Sequence, residues 1–264
     1  MFDEVLPAVK ALFEKIEKEP NKEELELELR FGKLGENGNF VPGVKREFMD
    51  TAICRLNTNS TCKTTEWMEH EDYFYPTDSP NGKQSVRTRV SFDTYEFKIL
   101  KKHVVKQRLA MVTIQTGEVA FRVSLSREAT FDESLIPISV NTSLVRIQQR
   151  KSIFWSRTEH KAYPWCYESS LTWSGKTKSE AESSRWMPNS CNYEFEIELD
   201  LDSAYFKRHS PDYLARSLLL KATDFLESHA NLSLQKTSSS TSSSTSSTSS
   251  SRIDSSMDTT NRVA

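Results

Sequence analysis

Two stretches near opposite ends of the chain alternate strictly between acidic and apolar side chains. The first runs from Glu24 to Gly32 and reads ELELELRFG, and the second runs from Tyr193 to Asp200 and reads YEFEIELD. Successive side chains of a β-strand point to opposite faces, whereas a helix repeats every 3.6 residues. The alternation therefore predicts two β-strands, each with a row of carboxylates on one face and a row of apolar side chains on the other.

The acidic faces of these two strands admit two interpretations. Neighbouring residues on one face of a strand lie roughly 6.6–6.8 Å apart, so two carboxylates of one strand converge on an ion only with help from a second strand. A pair of such strands side by side would make a site for a hard cation. Alternatively, each charged face simply lies in water. The residues concerned are Glu24, Glu26 and Glu28 of the first strand and Glu194, Glu196 and Glu198 of the second.

Several strand-like runs between Glu66 and Leu171 carry basic side chains on one face. These runs are rich in Val, Ile, Phe, Tyr, Thr and Ser and are separated by turn signals, which predicts an all-β body. If the sheet closes with its polar faces inward, acidic and basic residues share a lumen suited to a metal beside a chain of phosphates. If it closes the other way, they form ordinary surface, and periodicity alone does not choose. The basic candidates are Arg87, Arg89, Lys106, Arg108, Arg122, Arg146 and Arg150.

Helices are predicted at both ends of this body. Apolar residues from Val5 to Ile16 recur at helical spacing before Pro20. A second helix is predicted to begin with Ser210 as its N-cap and Pro211 at its first position. From residue 237 to 251 every residue is Ser or Thr, a composition that buries too little apolar area to order. We therefore divide the chain into a domain of residues 1–234 and a disordered tail of residues 235–264.

Composition sets the remaining limits. With 264 residues, 36% of them hydrophobic, the chain has enough apolar material for a sizeable core. A net charge of -2 means that any polyanion site is local rather than a product of excess basic charge. The four cysteines have no zinc-finger or CxxC spacing, and the N-terminal segment is acidic and amphipathic rather than a signal peptide. No apolar run approaches the length of a membrane span, so we expect an intracellular protein without membrane contact.

Taken together, these motifs resemble the triphosphate tunnel metalloenzymes. The closest type is the RNA 5′-triphosphatase of fungi, protists and DNA viruses, which begins mRNA capping. That group opens on a strand with two alternating glutamates followed by a basic residue, Phe and Gly, which here spans Glu26–Gly32, and it closes on a strand with three alternating glutamates. The order matches from end to end, with basic strands in between. The resemblance covers roughly Glu24 to Asp200.

The resemblance implies a mainly β fold, a closed eight-stranded antiparallel barrel with a polar interior flanked by N- and C-terminal helices. It implies a site for Mg²⁺ or Mn²⁺ made by Glu26, Glu28 and Glu198, and phosphate contacts from the seven basic candidates. Glu194 or Glu196 would orient or deprotonate the attacking water, or hold an arginine in place. The expected reaction removes the γ-phosphate of triphosphate-ended RNA to leave a diphosphate end and phosphate, without a covalent intermediate.

The resemblance also bears on partners and location. A triphosphate RNA end is the expected substrate, and the chain after Leu234 is too short for a second catalytic domain, so we expect a separate mRNA guanylyltransferase. A homodimer is compatible with the pattern, and the expected location is the nucleus or a viral replication compartment. Two rival functions stay open: hydrolysis of small triphosphates such as tripolyphosphate, a nucleoside triphosphate or thiamine triphosphate, and non-catalytic phosphate binding within a capping complex.

Overall fold

Within the described residues, the fold contains ten β-strands and five α-helices. The computed structural model describes residues 2–59, 62–79, 82–93, 98–135, 141–155 and 164–241. The strands are β1 (Leu25–Leu34), β2 (Phe40–Pro42), β3 (Cys62–Thr64), β4 (Met68–Ser79), β5 (Gly82–Asp93), β6 (Lys98–Thr116), β7 (Val119–Thr130), β8 (Leu144–Trp155), β9 (Trp165–Gly175) and β10 (Asn192–Leu199). The helices are α1 (Phe2–Lys18), α2 (Arg46–Asn57), α3 (Lys178–Ser184), α4 (Ala204–Arg208) and α5 (Pro211–Thr241).

Eight of these strands close into an antiparallel barrel. The strand order is β10-β9-β8-β4-β5-β6-β7-β1, and the circle closes because β1 also pairs with β10. The strand β2 extends the sheet beyond β1, and β3 adds to β8. The predicted eight-stranded closed barrel is therefore confirmed, and the two acidic strands are the pair that closes it.

The apolar faces of the strands lie outside the barrel, beneath the helices. The apolar row of β1 is almost entirely inaccessible to solvent, as is the matching row of β10. Both rows pack in one core with α1, α2 and α5. Burial of large apolar side chains stabilises a protein by roughly 1.5–3 kcal/mol each, so this outer layer is the main hydrophobic core. Its largest members are Phe13, Phe31, Phe48, Phe121, Phe195 and Trp165.

The polar faces of the same strands point into the barrel. Glu28 lies opposite Ser124 of β7 and Glu198 of β10, and paired residues of an antiparallel ladder project from the same face. Glu28 is only 3% exposed although it lies on the face opposite the apolar core. The two closures that periodicity left open are thus resolved: the helices cover the apolar side, and the charged side becomes the lumen.

Helix α1 ends, and helix α5 begins, where the sequence predicts. Helix α1 ends at Lys18, before Pro20, and places Val9, Phe13 and Ile16 in the core. Helix α5 begins at Pro211, and the Ser210 hydroxyl accepts a hydrogen bond from the backbone N–H of Tyr213 at 3.3 Å. Helix α2 was not predicted. Among the described helices, none has the length and apolar content needed to cross a membrane.

A close approach at Gly32 shapes one end of the barrel. A Cβ at this position would meet the Val41 carbonyl oxygen at 2.3 Å and the Phe40 ring at 2.7 Å. Only glycine therefore lets β2 fold over the end of β1. The consequence is that the Phe40 ring lies at the rim of the lumen.

The chain divides into two compact units, Met1–His229 and Ala230–Ala264. The first unit contains the barrel and its covering helices. The second unit consists mostly of residues 242–264, which lie outside the described residues. Most of the Ser/Thr run belongs to this segment. The predicted boundary at residue 234 and the predicted disorder of the tail stay predictions.

Leu29→Ala is expected to lower the free energy of unfolding by about 2–5 kcal/mol, because the Leu29 side chain is completely buried in the core between barrel and helices. Leu220→Ala makes the same chemical change at a position on α5 that is 63% exposed, and it should stay within about 0.5 kcal/mol of wild type. Urea unfolding followed by circular dichroism measures both. Equal losses in the two variants would contradict the assignment of this layer as the core.

Candidate metal and triphosphate site

Pairing of β1 with β10 brings the two predicted acidic rows side by side. The register places Glu28 opposite Glu198 and Arg30 opposite Glu196. The neighbouring strand thus supplies the additional carboxylates that a single strand cannot direct at one ion. All twelve predicted site residues lie on the lumen face of their strands, as the ladder registers show.

One cluster of carboxylates has the spacing of a cation site. Glu26, Glu28 and Glu198 each offer an oxygen, and these oxygens lie within 4.8 Å of one another. A magnesium ion with oxygen ligands at about 2.1 Å holds opposite ligands about 4.2 Å apart, so three such oxygens fit around one ion. A second group, formed by Glu168, Glu196 and Glu198, shares Glu198 with the first.

The charges around this cluster are unevenly compensated. Burial alone would raise the pKa of Glu28, but the nearby Arg30 and Lys106 outweigh it and lower that pKa. For Glu198, burial raises the pKa well above its usual range, and the carboxylates of Glu168 and Glu26 raise it further. Within the described residues, no Lys or Arg nitrogen lies within 4.0 Å of the Glu198 carboxylate, since every ion pair found joins other residues.

The cluster therefore fits a hard divalent cation. All the donors are carboxylate oxygens, which suit Mg²⁺ and Mn²⁺ and disfavour soft metals. A cation at Glu26, Glu28 and Glu198 would also favour the charged form of Glu198, which burial and the neighbouring carboxylates disfavour. This fit agrees with the ligand set implied by the sequence motifs.

Four of the predicted basic residues are each held by a carboxylate from another strand. The Arg89 guanidinium donates two hydrogen bonds to Asp72, at 2.8 and 2.9 Å. Arg87 donates to Glu128 at 2.9 Å, and Arg150 pairs with Glu168. Bidentate and buried pairs of this kind fix the direction of a guanidinium. The fourth residue, Lys106, bridges Glu26, Glu28 and Glu128.

The other three basic candidates, Arg108, Arg122 and Arg146, form no ion pair with a carboxylate within the part of the chain that the structure describes. The guanidinium carbon of Arg122 lies 4.6 Å from the centre of the Phe40 ring. That of Arg146 lies 5.0 Å from the centre of the Phe74 ring. The seven predicted phosphate ligands thus fall into two structurally different groups.

A cavity of about 200 Å³ lies inside the barrel beside the acidic cluster. Glu26 and Glu198 line it on the acidic side, and cationic side chains line it on the other. An enclosed lumen of low dielectric strengthens the interaction of fixed cations with an anionic ligand. The cations that line it are Arg30, Arg87, Arg89, Lys102 and Arg150.

The remaining predicted residues, Glu194 and Glu196, are both buried on the lumen face of β10. One oxygen of Glu196 pairs with Arg30 Nε at 3.2 Å, and the other has no hydrogen-bond partner. Glu194 accepts a hydrogen bond from Asn192 at 2.9 Å, and burial together with Glu196 raises its pKa.

Sequence reasoning missed the carboxylates that hold the arginines. Glu128 continues the polar alternation of β7 by one more step after Ser126, so extending that pattern would have found it. Asp72 and Glu168 carry no comparable signal. Glu168 is the one acidic residue of β9, and Asp72 follows Glu69 and Glu71 in β4 without a regular alternation. Arg30 was noted as part of the first motif without a role, and it bridges Glu28 and Glu196.

Glu198→Gln is expected to raise the melting temperature of the metal-free protein by about 2–4 °C at neutral pH, because burial and neighbouring carboxylates disfavour the charged form. A raised pKa makes the folded state bind more protons than the unfolded state, so wild-type stability falls as pH rises above the usual carboxyl pKa. The difference between the two proteins should therefore vanish at lower pH, where Glu198 is protonated in both states.

Differential scanning fluorimetry across pH, with and without Mg²⁺ or Mn²⁺, measures this effect. The divalent ions should stabilise wild type and the control Glu36→Gln, whose side chain is exposed, but not Glu198→Gln. A Glu198→Gln protein that is less stable than wild type without metal, or equally stabilised by the ions, would contradict the assignment.

Known protein families and curated sequences contain no match to this chain, but solved structures do. The RNA triphosphatase Pct1 of S. pombe matches with 14% identity and a TM-score of 0.55, over 84% of this chain and 92% of that one. Pct1 in complex with the Spt5 CTD gives 14% identity and 0.56, over 85% and 93%.

The RNA triphosphatase domain of a trifunctional mimivirus mRNA capping enzyme gives 13% identity and a TM-score of 0.51, over 84% of this chain and 95% of that one. The likeness extends over nearly the whole length of each neighbour, at identities where fold persists after most side chains have changed. The chain therefore has the eight-stranded tunnel fold of these RNA triphosphatases.

Proposed function

We propose that this protein is a metal-dependent RNA 5′-triphosphatase that hydrolyses the γ-phosphate of triphosphate-ended RNA. The observation that carries the proposal is the meeting, in one enclosed lumen, of three converging carboxylates and a set of fixed cations. Carboxylates alone would repel a triphosphate, and cations alone would bind it without a site for a divalent ion. The likeness to the fold of solved RNA triphosphatases supports the choice of substrate.

The lumen cations would bind and orient the phosphates. Arg87, Arg89 and Arg150 are each held by a carboxylate, so their guanidinium groups are oriented before the substrate arrives. Preorganised donors stabilise charge that develops in a transition state without a cost of reorganisation at that moment. Arginine suits this task because its planar group makes two parallel hydrogen bonds to phosphate oxygens.

Glu26, Glu28 and Glu198 would hold the divalent ion, Mg²⁺ or Mn²⁺, beside the γ-phosphate end of this cavity. When bound, the ion supplies charge neutralisation on phosphate oxygens and a template for their alignment. The Lys106 ammonium, which contacts two of these carboxylates, places a further positive charge next to the site.

Glu196 is the better placed of the two candidates for orienting the attacking water. One of its oxygens is anchored by Arg30, the other is unpartnered, and it lies within 4.8 Å of a Glu198 oxygen. A carboxylate within hydrogen-bond reach of the water is the minimum requirement for a base. Glu194 lies two residues before Glu196 on β10 and accepts a hydrogen bond from Asn192. It would affect the reaction only indirectly, through its electrostatic effect on neighbouring charged groups such as Glu196.

This function implies a place in mRNA capping, with a diphosphate RNA end passed to a guanylyltransferase. A separate guanylyltransferase partner and a location in the nucleus or a viral replication compartment follow as parts of the proposal. Hydrolysis of small triphosphates by the same lumen is the alternative, since the charged residues that line the cavity would bind the phosphates of either substrate. Non-catalytic binding would leave the converging carboxylates without a role.

Glu26→Gln and Glu198→Gln are each expected to reduce γ-phosphate release from triphosphate-ended RNA by at least about 100-fold, because each removes a charged oxygen ligand of the ion. Release of labelled phosphate is measured with Mg²⁺, with Mn²⁺ and with chelator. Glu36→Gln, an identical change in an exposed turn, should retain wild-type activity.

The same assay run on tripolyphosphate and on a nucleoside triphosphate distinguishes the two hydrolase functions by relative kcat/KM. Activity that persists in chelator, or in both variants, would contradict a carboxylate-held metal. Triphosphate binding without turnover of any substrate would leave the binding role instead.

A further inference from the structure

Two arginines without carboxylate partners lie at the same end of the barrel. Strand β1 ends there at Leu34, and β7 begins at Val119, while β8 begins at Leu144. We call this end the Phe40 mouth, defined by Phe40, Phe74, Arg122 and Arg146. The opposite mouth lies where β5 ends at Asp93 and β6 begins at Lys98.

At the Phe40 mouth, the chain is built to hold an aromatic ring against a guanidinium. The Phe40 ring packs against Gly32, where any larger residue would clash with it. Arg122 of β7 pairs with Arg30, two residue pairs deeper in the barrel than Gly32, and lies over this ring at 4.6 Å. The Arg122 Nε is buried and has no hydrogen-bond partner, and burial together with repulsion by Arg108 and Arg30 lowers the pKa of Arg122.

A second platform of the same kind lies across the mouth. Phe74 and Arg146 both belong to the lumen faces of their strands, β4 and β8, and the guanidinium lies 5.0 Å from the ring centre. Arg108 adds a third cation whose one hydrogen bond is to the Met111 sulfur, at 3.8 Å. Met111 faces the lumen opposite Ser124, yet it is 53% exposed, so this end of the lumen is open to solvent.

These arginines differ in kind from those deeper in the lumen. Arg87, Arg89 and Arg150 line the cavity and are held by carboxylates, whereas Arg108, Arg122 and Arg146 do not line it. A guanidinium with one face on a ring and no acidic partner offers its other face and its N–H groups to a ligand. Nucleobases stack on guanidinium planes and aromatic rings, and phosphodiesters accept from the N–H groups.

We propose that the Phe40 mouth binds the first nucleotides of single-stranded RNA while the triphosphate occupies the inner cavity. The proposal rests on the proposed function and adds to it the path by which the RNA leaves the barrel. Arg122 on Phe40 and Arg146 on Phe74 form two stacking platforms, and Arg108 neutralises a backbone phosphate.

The opposite mouth is less suited to this role. Its lumen-facing lysine, Lys102, lines the inner cavity, and its neighbour Lys101 pairs with Glu133 at 3.8 Å. The arginine–aromatic pairs found within the described residues of the barrel lumen both lie at the Phe40 mouth. Phe92, an exposed ring near the opposite mouth on the outer face of β5, provides a control for the same chemical change outside the lumen.

The test compares Phe40→Leu, Phe74→Leu and Phe92→Leu in the full chain. Each variant receives a ten-nucleotide triphosphate-ended RNA and, separately, tripolyphosphate. Loss of stacking at the Phe40 mouth should lower the ratio of the two kcat/KM values about 5- to 30-fold in the first two variants, since only RNA reaches the platforms. Phe92→Leu should keep the wild-type ratio. Because each ratio is internal to one protein preparation, partial misfolding does not change it.

A substitution of the cation gives an independent readout. Arg122→Lys keeps the charge but loses the planar group, so it should also lower the RNA ratio. An unchanged ratio in Phe40→Leu, Phe74→Leu and Arg122→Lys, or a fall in Phe92→Leu instead, would overturn the assignment of the path.

Binding separates this proposal from the proposed function. Fluorescence anisotropy with a labelled ten-nucleotide RNA that has a 5′-hydroxyl end needs neither metal nor hydrolysis. Wild type should bind it with an affinity that falls with salt, and Phe40→Leu and Phe74→Leu should bind about 5- to 30-fold more weakly. An inactive enzyme that still shows this pattern would refute the triphosphatase and keep the RNA path. An active enzyme without it would refute the path alone.

Discussion

Pairing of β1 with β10 is the interaction on which the rest of this structure depends. It closes the barrel, and in doing so it forces two rows of glutamates into contact, with Glu28 opposite Glu198. Carboxylates buried at such distances repel one another, and they are tolerated only with cations nearby. Arg30 and Lys106 compensate Glu28, whereas at Glu198 the charge of Arg150 offsets only part of the cost of burial and of the neighbouring carboxylates. One more positive charge beside Glu198, where β1 pairs with β10, would therefore stabilise the folded protein.

In the rest of the lumen, carboxylates compensate the positive charge of buried arginines. Arginines that would repel one another are separated by carboxylates from neighbouring strands, as in Arg89 with Asp72 and Arg150 with Glu168. These pairs contribute little net stability when compared with an apolar core, because desolvation offsets their attraction. Their value is geometric: they fix the guanidinium directions, whereas stability comes from the apolar layer between barrel and helices.

The lumen is therefore graded along its axis. The centre holds the acidic cluster and the held arginines, and one mouth holds arginines that lie on aromatic rings instead. A substrate with a highly charged end and a weakly charged, aromatic remainder would match this gradient. Triphosphate-ended RNA has this form, and inorganic tripolyphosphate matches only the centre. The likeness to solved RNA triphosphatases shows the fold, and this gradient supports the RNA substrate that we propose.

The sequence by itself determined the strands, their two faces and the flanking helices, because alternation, caps and apolar periodicity are local properties. It also predicted the glutamates of the candidate site, since a row of carboxylates such as Glu26 and Glu28 is visible in one strand. It could not predict the partners Asp72 and Glu168, whose ion pairs with arginines form only across a strand pair.

Only the tertiary structure decided which face became the lumen. Alternation gives a period of two but no preference for inward or outward, and that preference comes from α1, α2 and α5 covering the apolar side of the barrel. Closure also decided that the basic candidates divide into two groups. The two groups have the same spacing along their strands. They differ in the neighbours that barrel closure brings beside them: Arg89 lies beside a carboxylate, and Arg122 lies beside an aromatic ring.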